Sequence, residues 1–163
     1  MNLLIPDFET FIAMRYEALV RSAYVLVGHR EEAEDIVQTA LLRTYRVWQR
    51  KAPDNPEAYV RTVMIRLAAR RGRRFWSREL PSLQVPETPT DDRPGDIDTS
   101  LAIQQALKRL PREQRLVIGL RYFMDMSEAQ VADALDCPIG SVKSRSSRAL
   151  ASLRLALSNA ITE

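Results

Sequence analysis

Twenty residues in the middle of the chain set the terms for everything on either side. From Glu79 to Asp98 the sequence reads Glu-Leu-Pro-Ser-Leu-Gln-Val-Pro-Glu-Thr-Pro-Thr-Asp-Asp-Arg-Pro-Gly-Asp-Ile-Asp, with prolines at 81, 86, 89 and 94 and six acids against one arginine. Proline lacks the backbone donor and fixes φ, so neither a helix interior nor a central strand runs comfortably through such a stretch. Its few apolar residues keep no helical or strand period, and the surplus of acid opposes collapse. Twenty residues of this kind inside one compact domain would be unusual. The expectation is two small domains, residues 1–78 and 100–163, joined by a flexible acidic linker over 79–99.

Both flanks carry helical periodicity. Phe8, Phe11, Ile12, Leu19, Val20, Ala23 and Val27 recur at three- and four-residue spacing and predict a first helix that stops near Gly28. Ala33, Val37, Ala40, Leu41, Thr44 and Trp48 mark one face of a second, with acids in its first turn and arginines at its end, as the helix dipole favours. Asn55-Pro56-Glu57 supplies an N-cap, an N1 proline and an early acid for a third, with Tyr59, Val60, Val63, Met64 and Leu67 as its buried stripe. Beyond the linker, Leu101, Ile103, Leu107 and Leu110 pattern a helix that Pro111 ends, and Pro111 at N1 opens another to about Phe123. Ser127-Glu-Ala-Gln130 has the form of a capping box, starting a short helix to Leu135. After Asp136-Cys-Pro-Ile-Gly140, Ser141 is expected to cap a last helix to about Ser158. The fold class expected is all-α, in two helical bundles.

Several functions are excluded early. One Cys (Cys137) and one His (His29) leave no disulfide framework and no usual His/Cys zinc set. With no nucleophile–base pair and no phosphate-binding loop, an enzyme reading has no site, and neither a cofactor nor a metal is expected. No apolar run approaches 18 residues, and no signal peptide is visible at the N-terminus, so a cytoplasmic protein without membrane insertion is expected. Net charge is only +3, but residues 1–78 carry 14 Lys+Arg against 9 Asp+Glu, residues 79–99 carry 1 against 6, and residues 100–163 carry 9 against 6. Two basic flanks around an acidic centre suggest nucleic acid as partner, with a solvated basic surface as the competing reading.

Three surfaces stand out. Met126 to Leu153 has the pattern of a helix-turn-helix. Its second helix sets Val142, Ala149, Leu150, Leu153 and Leu157 on one side and Lys143, Ser144, Ser147, Arg148 and Arg154 on the other. Such short or cationic side chains, near a helix N-terminus, suit base edges and phosphates. On the third helix, Arg61, Thr62, Ile65, Arg66, Ala69 and Arg73 lie opposite the core stripe, and Arg70-Arg-Gly-Arg-Arg-Phe-Trp76 combines phosphate clamps with stacking rings. The competing reading has Phe75 and Trp76 closing the bundle. On the second helix, Asp35, Gln38, Thr39, Leu42 and Arg46 put a leucine among polar residues, which is either a normal exposed leucine or a protein-docking face.

Together these segments resemble a family. Glu32-Ala-Glu-Asp-Ile-Val-Gln-Thr-Ala-Leu-Leu-Arg-Thr-Tyr45 is similar to region 2.2 of sigma factors, and Asn55-Pro-Glu-Ala-Tyr-Val-Arg61 to regions 2.3 to 2.4. Leu110-Pro-Arg-Glu-Gln-Arg115, Leu120-Arg-Tyr-Phe-Met-Asp-Met-Ser127 and Cys137-Pro-Ile-Gly-Ser-Val-Lys-Ser-Arg145 are similar to region 4. Order and length resemble the extracytoplasmic-function group of sigma-70-type factors, closest to its actinobacterial SigE-like subset, over about residues 8 to 157.

The resemblance implies a sigma region 2 bundle and a sigma region 4 helix-turn-helix. It implies that the chain binds core RNA polymerase, through the β′ clamp helices and β flap, and directs it to promoter DNA. Asp35, Gln38 and Leu42 fall at clamp-helix docking positions. Asn55, Arg61, Thr62, Arg66 and Arg73 fall where the −10 element is read as single strand. Lys143, Ser144, Ser147 and Arg148 fall at −35 positions in the major groove, with Arg121 near a phosphate. An anti-sigma factor is common in the family, though nothing in the chain demonstrates one. The alternative is a stand-alone helix-turn-helix regulator of transcription. Whether the two halves touch in the free protein is left open.

Overall fold

A computed structural model describes residues 7–76 and 99–162, with the side chains at 73–76, 99–100 and 161 excepted. The expected linker therefore lies outside the described residues, as do the side chains of Arg73, Phe75 and Trp76. The described residues are helical, with no strand among them. Helices α1 (Phe8–Val27), α2 (Arg30–Trp48) and α3 (Pro56–Trp76) form the first half. Helices α4 (Thr99–Arg109), α5 (Arg112–Ile118), α6 (Glu128–Leu135) and α7 (Ile139–Thr162) form the second, with a π-helical turn at Gly119–Phe123 continuing α5.

Local chemistry accounts for most of the boundaries. Asp7 caps α1 by accepting from the Thr10 amide at 2.8 Å, and that bond holds its carboxyl below the usual carboxylate range. Gly28 ends α1 in the left-handed region at φ 76°, its amide donating back to the Tyr24 carbonyl. Asn55 accepts from the Ala58 amide at 3.1 Å to open α3. The capping box of α6 is complete: Ser127 Oγ accepts from the Gln130 amide and Gln130 Oε1 from the Ser127 amide.

Three expectations need correcting. Pro111 is the N-cap of α5 rather than its first residue, with φ −53° and ψ 147°. Ser141 caps nothing at the start of α7, because that helix already begins at Ile139 and runs on to Thr162. The left-handed residue closing α6 is Asp136 at φ 51°, so the turn is shorter than its Pro/Gly content suggests and Gly140 already lies within α7.

The two halves share one hydrophobic core. Leu19, Val20, Leu26, Val37, Val60 and Met64 from the first half join Leu116, Val117, Leu120, Val131 and Leu135 from the second in a continuous buried cluster. A smaller cluster of Leu107, Leu110, Ile118 and Ala149 ties α4 and α5 to α7. The expected stripes of α1, α2 and α3 are buried or packed on the main core, except Tyr59, which stays half-buried outside it. The polar side assigned to α3 is only partly polar: Ala69 is fully buried and Ile65 packs against the core. The reason is tertiary, since α5 and α6 lie along that side of α3.

Candidate nucleic-acid interface

The helix-turn-helix is built from α6, the turn at Asp136–Pro138 and α7. Val131, Leu135, Val142 and Ala149 are buried beneath it. Seating Val142 and Ala149 inward turns Lys143, Ser144, Ser147, Arg148 and Arg154 to solvent, as their spacing predicts. Lys143 Nζ lies 3.9 Å from Glu128, a loose contact between exposed groups that a phosphate would readily displace. Arg121 is half-buried: its Nη1 donates to the Met126 carbonyl at 2.7 Å and its guanidinium lies 5.5 Å from the Tyr122 ring centre. It braces the loop leading into α6. Tyr122 and Phe123, beside it, are 55% and 51% exposed.

On α3, Thr62 and Arg66 are exposed, Thr62 Oγ1 donating to the Ala58 carbonyl at 2.9 Å. Arg61 is half-buried, and its Nη2 donates to Met124 Sδ of the second half at 3.2 Å. Asn55 is exposed, with its side-chain oxygen engaged in the α3 cap. Phe11, Met14, Arg15, Asn55, Pro56 and Glu57 line a cleft of about 240 Å³, with Arg15 donating to Glu57 across it. The face of α2 formed by Asp35, Gln38 and Leu42 is open, Leu42 at 66% exposure. Arg71 of α3 reaches over and donates to Asp35 Oδ2 at 2.6 Å. Glu32, one turn earlier, is bridged to both halves: Arg71 lies 3.9 Å away, and Arg112 donates to both of its carboxylate oxygens.

Arg115 has no role in the sequence reading, and it is the most consequential polar residue found. Its guanidinium is buried (8% exposed) and donates to the carbonyls of Leu107, Lys108 and Leu110, where α4 ends, and of Val27, where α1 ends. A cation at two helix C-termini meets the negative ends of both dipoles and satisfies carbonyls that lack helical partners. Its position directly before the apolar run Leu116-Val117-Ile118 was the available signal. Among the described residues there is no group of three His, Cys, Asp or Glu placed to hold a metal, and no helix long and apolar enough to cross a membrane.

A three-helix bundle with a basic helix, joined on one chain to a helix-turn-helix, marks the class of helical DNA-binding proteins. Comparison with known proteins specifies which kind. Residues 11–78 match the model of sigma-70 region 2 and residues 100–153 that of sigma-70 region 4. The chain is 39% identical to the RNA polymerase sigma-E factor of Streptomyces coelicolor, covering 91% of this chain and 84% of that one. It is 32% identical to the ECF RNA polymerase sigma factor SigL of Mycobacterium tuberculosis, covering 85% and 82%. Among solved structures, the sigma factor RpoE in complex with the anti-sigma factor NepR from Bartonella quintana is similar, with a TM-score of 0.53, 25% identity and coverage of 93% and 97%. The chain belongs to the sigma-70 family of RNA polymerase sigma factors, in its extracytoplasmic-function group. It binds core RNA polymerase and promoter DNA to initiate transcription, and the stand-alone regulator is set aside.

Proposed function

We propose a division of labour among the surfaces of this sigma factor. Residues 100–163 read the −35 element as duplex through Lys143, Ser144, Ser147 and Arg148, with Arg121 supporting a phosphate contact. Residues 1–78 hold the −10 element as single strand through Asn55, Thr62, Arg66, Arg61 and Arg73, the cleft beside Asn55 offering an apolar floor and polar rim for an unpaired base. Asp35, Gln38 and Leu42 dock on the β′ clamp helices, and the exposed Tyr122 and Phe123 suit an apolar contact on the β flap. Residues 79–99 bridge the two units. RNA synthesis belongs to the polymerase, and the protein works in the cytoplasm without catalysis or cofactor of its own. An anti-sigma factor, the kind of partner the Bartonella relative carries, would act by covering these same surfaces.

The observation that carries the assignment is the row of short and cationic side chains turned to solvent over the first three turns of α7. Replacing Lys143 and Arg148 together with Ala is expected to weaken −35-dependent run-off transcription by at least tenfold, two lost contacts at about 1–3 kcal/mol each. Core polymerase binding should stay at the wild-type level. The salt slope of duplex binding should fall by about 0.9 for each phosphate contact removed. Equal loss of transcription and polymerase binding would overturn the assignment.

A further inference from the structure

Asp35 does not stand in solvent alone. Glu32 and Asp35 lie one turn apart on the same side of α2, so their carboxylates are neighbours of like charge. Arg71, in the last turns of α3, reaches both: its Nη2 donates to Asp35 Oδ2 at 2.6 Å, and its Nη1 lies 3.9 Å from Glu32 Oε1. Glu32 is fixed in turn, because Arg112 donates to both of its oxygens. The side chain of Arg71 is 31% exposed and that of Asp35 64%, so the guanidinium is the sheltered member of the pair and the carboxylate the open one. Among the described residues no donor reaches the second oxygen of Asp35, Oδ1.

Such a contact can act on docking in two opposite ways. As a competitor, Arg71 would have to be displaced before a cation of the polymerase took the carboxylate. As a support, it would stay in place and hold the carboxylate for that cation. The geometry favours support. Arg71 bonds one oxygen, and a carboxylate offers about four acceptor positions, so a second cation can join without displacing the first. Docking also takes Asp35 out of water beside the exposed Leu42, which costs free energy for a charge that lacks a partner. A guanidinium from the same bundle supplies that partner in advance, and its attraction for Asp35 strengthens as water leaves. An Asp35 side chain already held in one rotamer also loses less freedom when the interface forms.

We infer that Arg71 is a positioning residue of the polymerase-docking face: it holds the Asp35 carboxylate for a cationic side chain of the polymerase, and it acts on docking only through Asp35. Glu32 steadies the other arm of its fork. The docking face is then made by two helices, α2 and α3, rather than by α2 alone. The inference rests on the assignment of Asp35 to that face given above.

A double-mutant cycle on the full chain tests it, with affinity for core RNA polymerase measured in the absence of DNA. Arg71→Met removes the charge but keeps an unbranched stem and good helix propensity, so helicity by circular dichroism should be kept. It should weaken binding by about three- to tenfold in the wild-type background, and by less than about twofold in the Asp35→Ala background. Because the bond to Asp35 uses one nitrogen, Arg71→Lys should bind at least about twofold more tightly than Arg71→Met. Equal losses in both backgrounds would mean that Arg71 only supports the bundle, and tighter binding by Arg71→Met would make it a competitor. Either result would overturn the inference, as would wild-type affinity in Arg71→Met. Failure of the underlying assignment has its own signature: Asp35→Ala alone would then bind core polymerase as the wild type does, and the inference would fall with it.

Discussion

A buried guanidinium is tolerable when its donors are engaged, and Arg115 engages carbonyls at two helix ends, of which only that of Leu107 also accepts from a backbone amide, that of Leu110. Arg115→Met keeps the apolar stem but strands those carbonyls, and should lower stability by at least about 2 kcal/mol, read as a shift in the denaturant midpoint. Arg115→Lys should not restore it, because one ammonium cannot reach carbonyls at two helix termini as a planar fork can. The residue was hidden in the sequence because arginine is rarely buried, and its place directly before Leu116-Val117-Ile118 is the one local mark that separates it from Arg112 three positions earlier. Lys143, Ser144, Ser147 and Arg148 were legible for the opposite reason. Their placement follows from helical period alone, once Val142 and Ala149 are taken as core.

At the scale of the helix, α2 divides its circumference between a core side, Ala33, Ile36, Val37, Ala40, Leu41 and Thr44, and the open row Asp35, Gln38 and Leu42. Because the row lies on the far side from the core, the cost of Asp35→Arg is confined to the lost pair with Arg71 and the like-charge contact that replaces it, about 1 kcal/mol, read as a fall of about 2–4 °C in the thermal midpoint. The same change reverses a charge at the docking face and should weaken binding to core polymerase by at least about tenfold, measured by competition for core enzyme. If the variant competes as wild type does, the docking face lies elsewhere. The helices themselves were readable from period, caps and prolines. The errors came where a helix has two buried sides: α3 reads as amphipathic, yet Ile65 and Ala69 on its polar side are covered by helices more than forty residues further along the chain.

Over the whole molecule, the main core belongs to neither half alone. Leu116, Val117 and Leu120 are buried in the same cluster as Leu19, Val20 and Val60, so α5 and α1 should lose protection together. Native-state hydrogen exchange should give their slowest amides the same opening free energy. Separate values in the wild type would mean that the halves unfold independently. None of this contact was legible in the sequence, since each half shows a complete amphipathic pattern and the acidic stretch between them says only that they are separately connected. The residues where the halves meet and those turned outward are nearly disjoint: Gly28, Gly72, Arg112, Arg115 and Gly119 make the first set, Asp35, Leu42, Lys143 and Arg148 the second, and the half-buried Arg61 lies between them. Cohesion of the fold and chemistry of its outer surface can therefore drift separately. A substitution where the halves meet would change how firmly the molecule holds together, and one on the outward faces of α2 or α7 would change what it can touch.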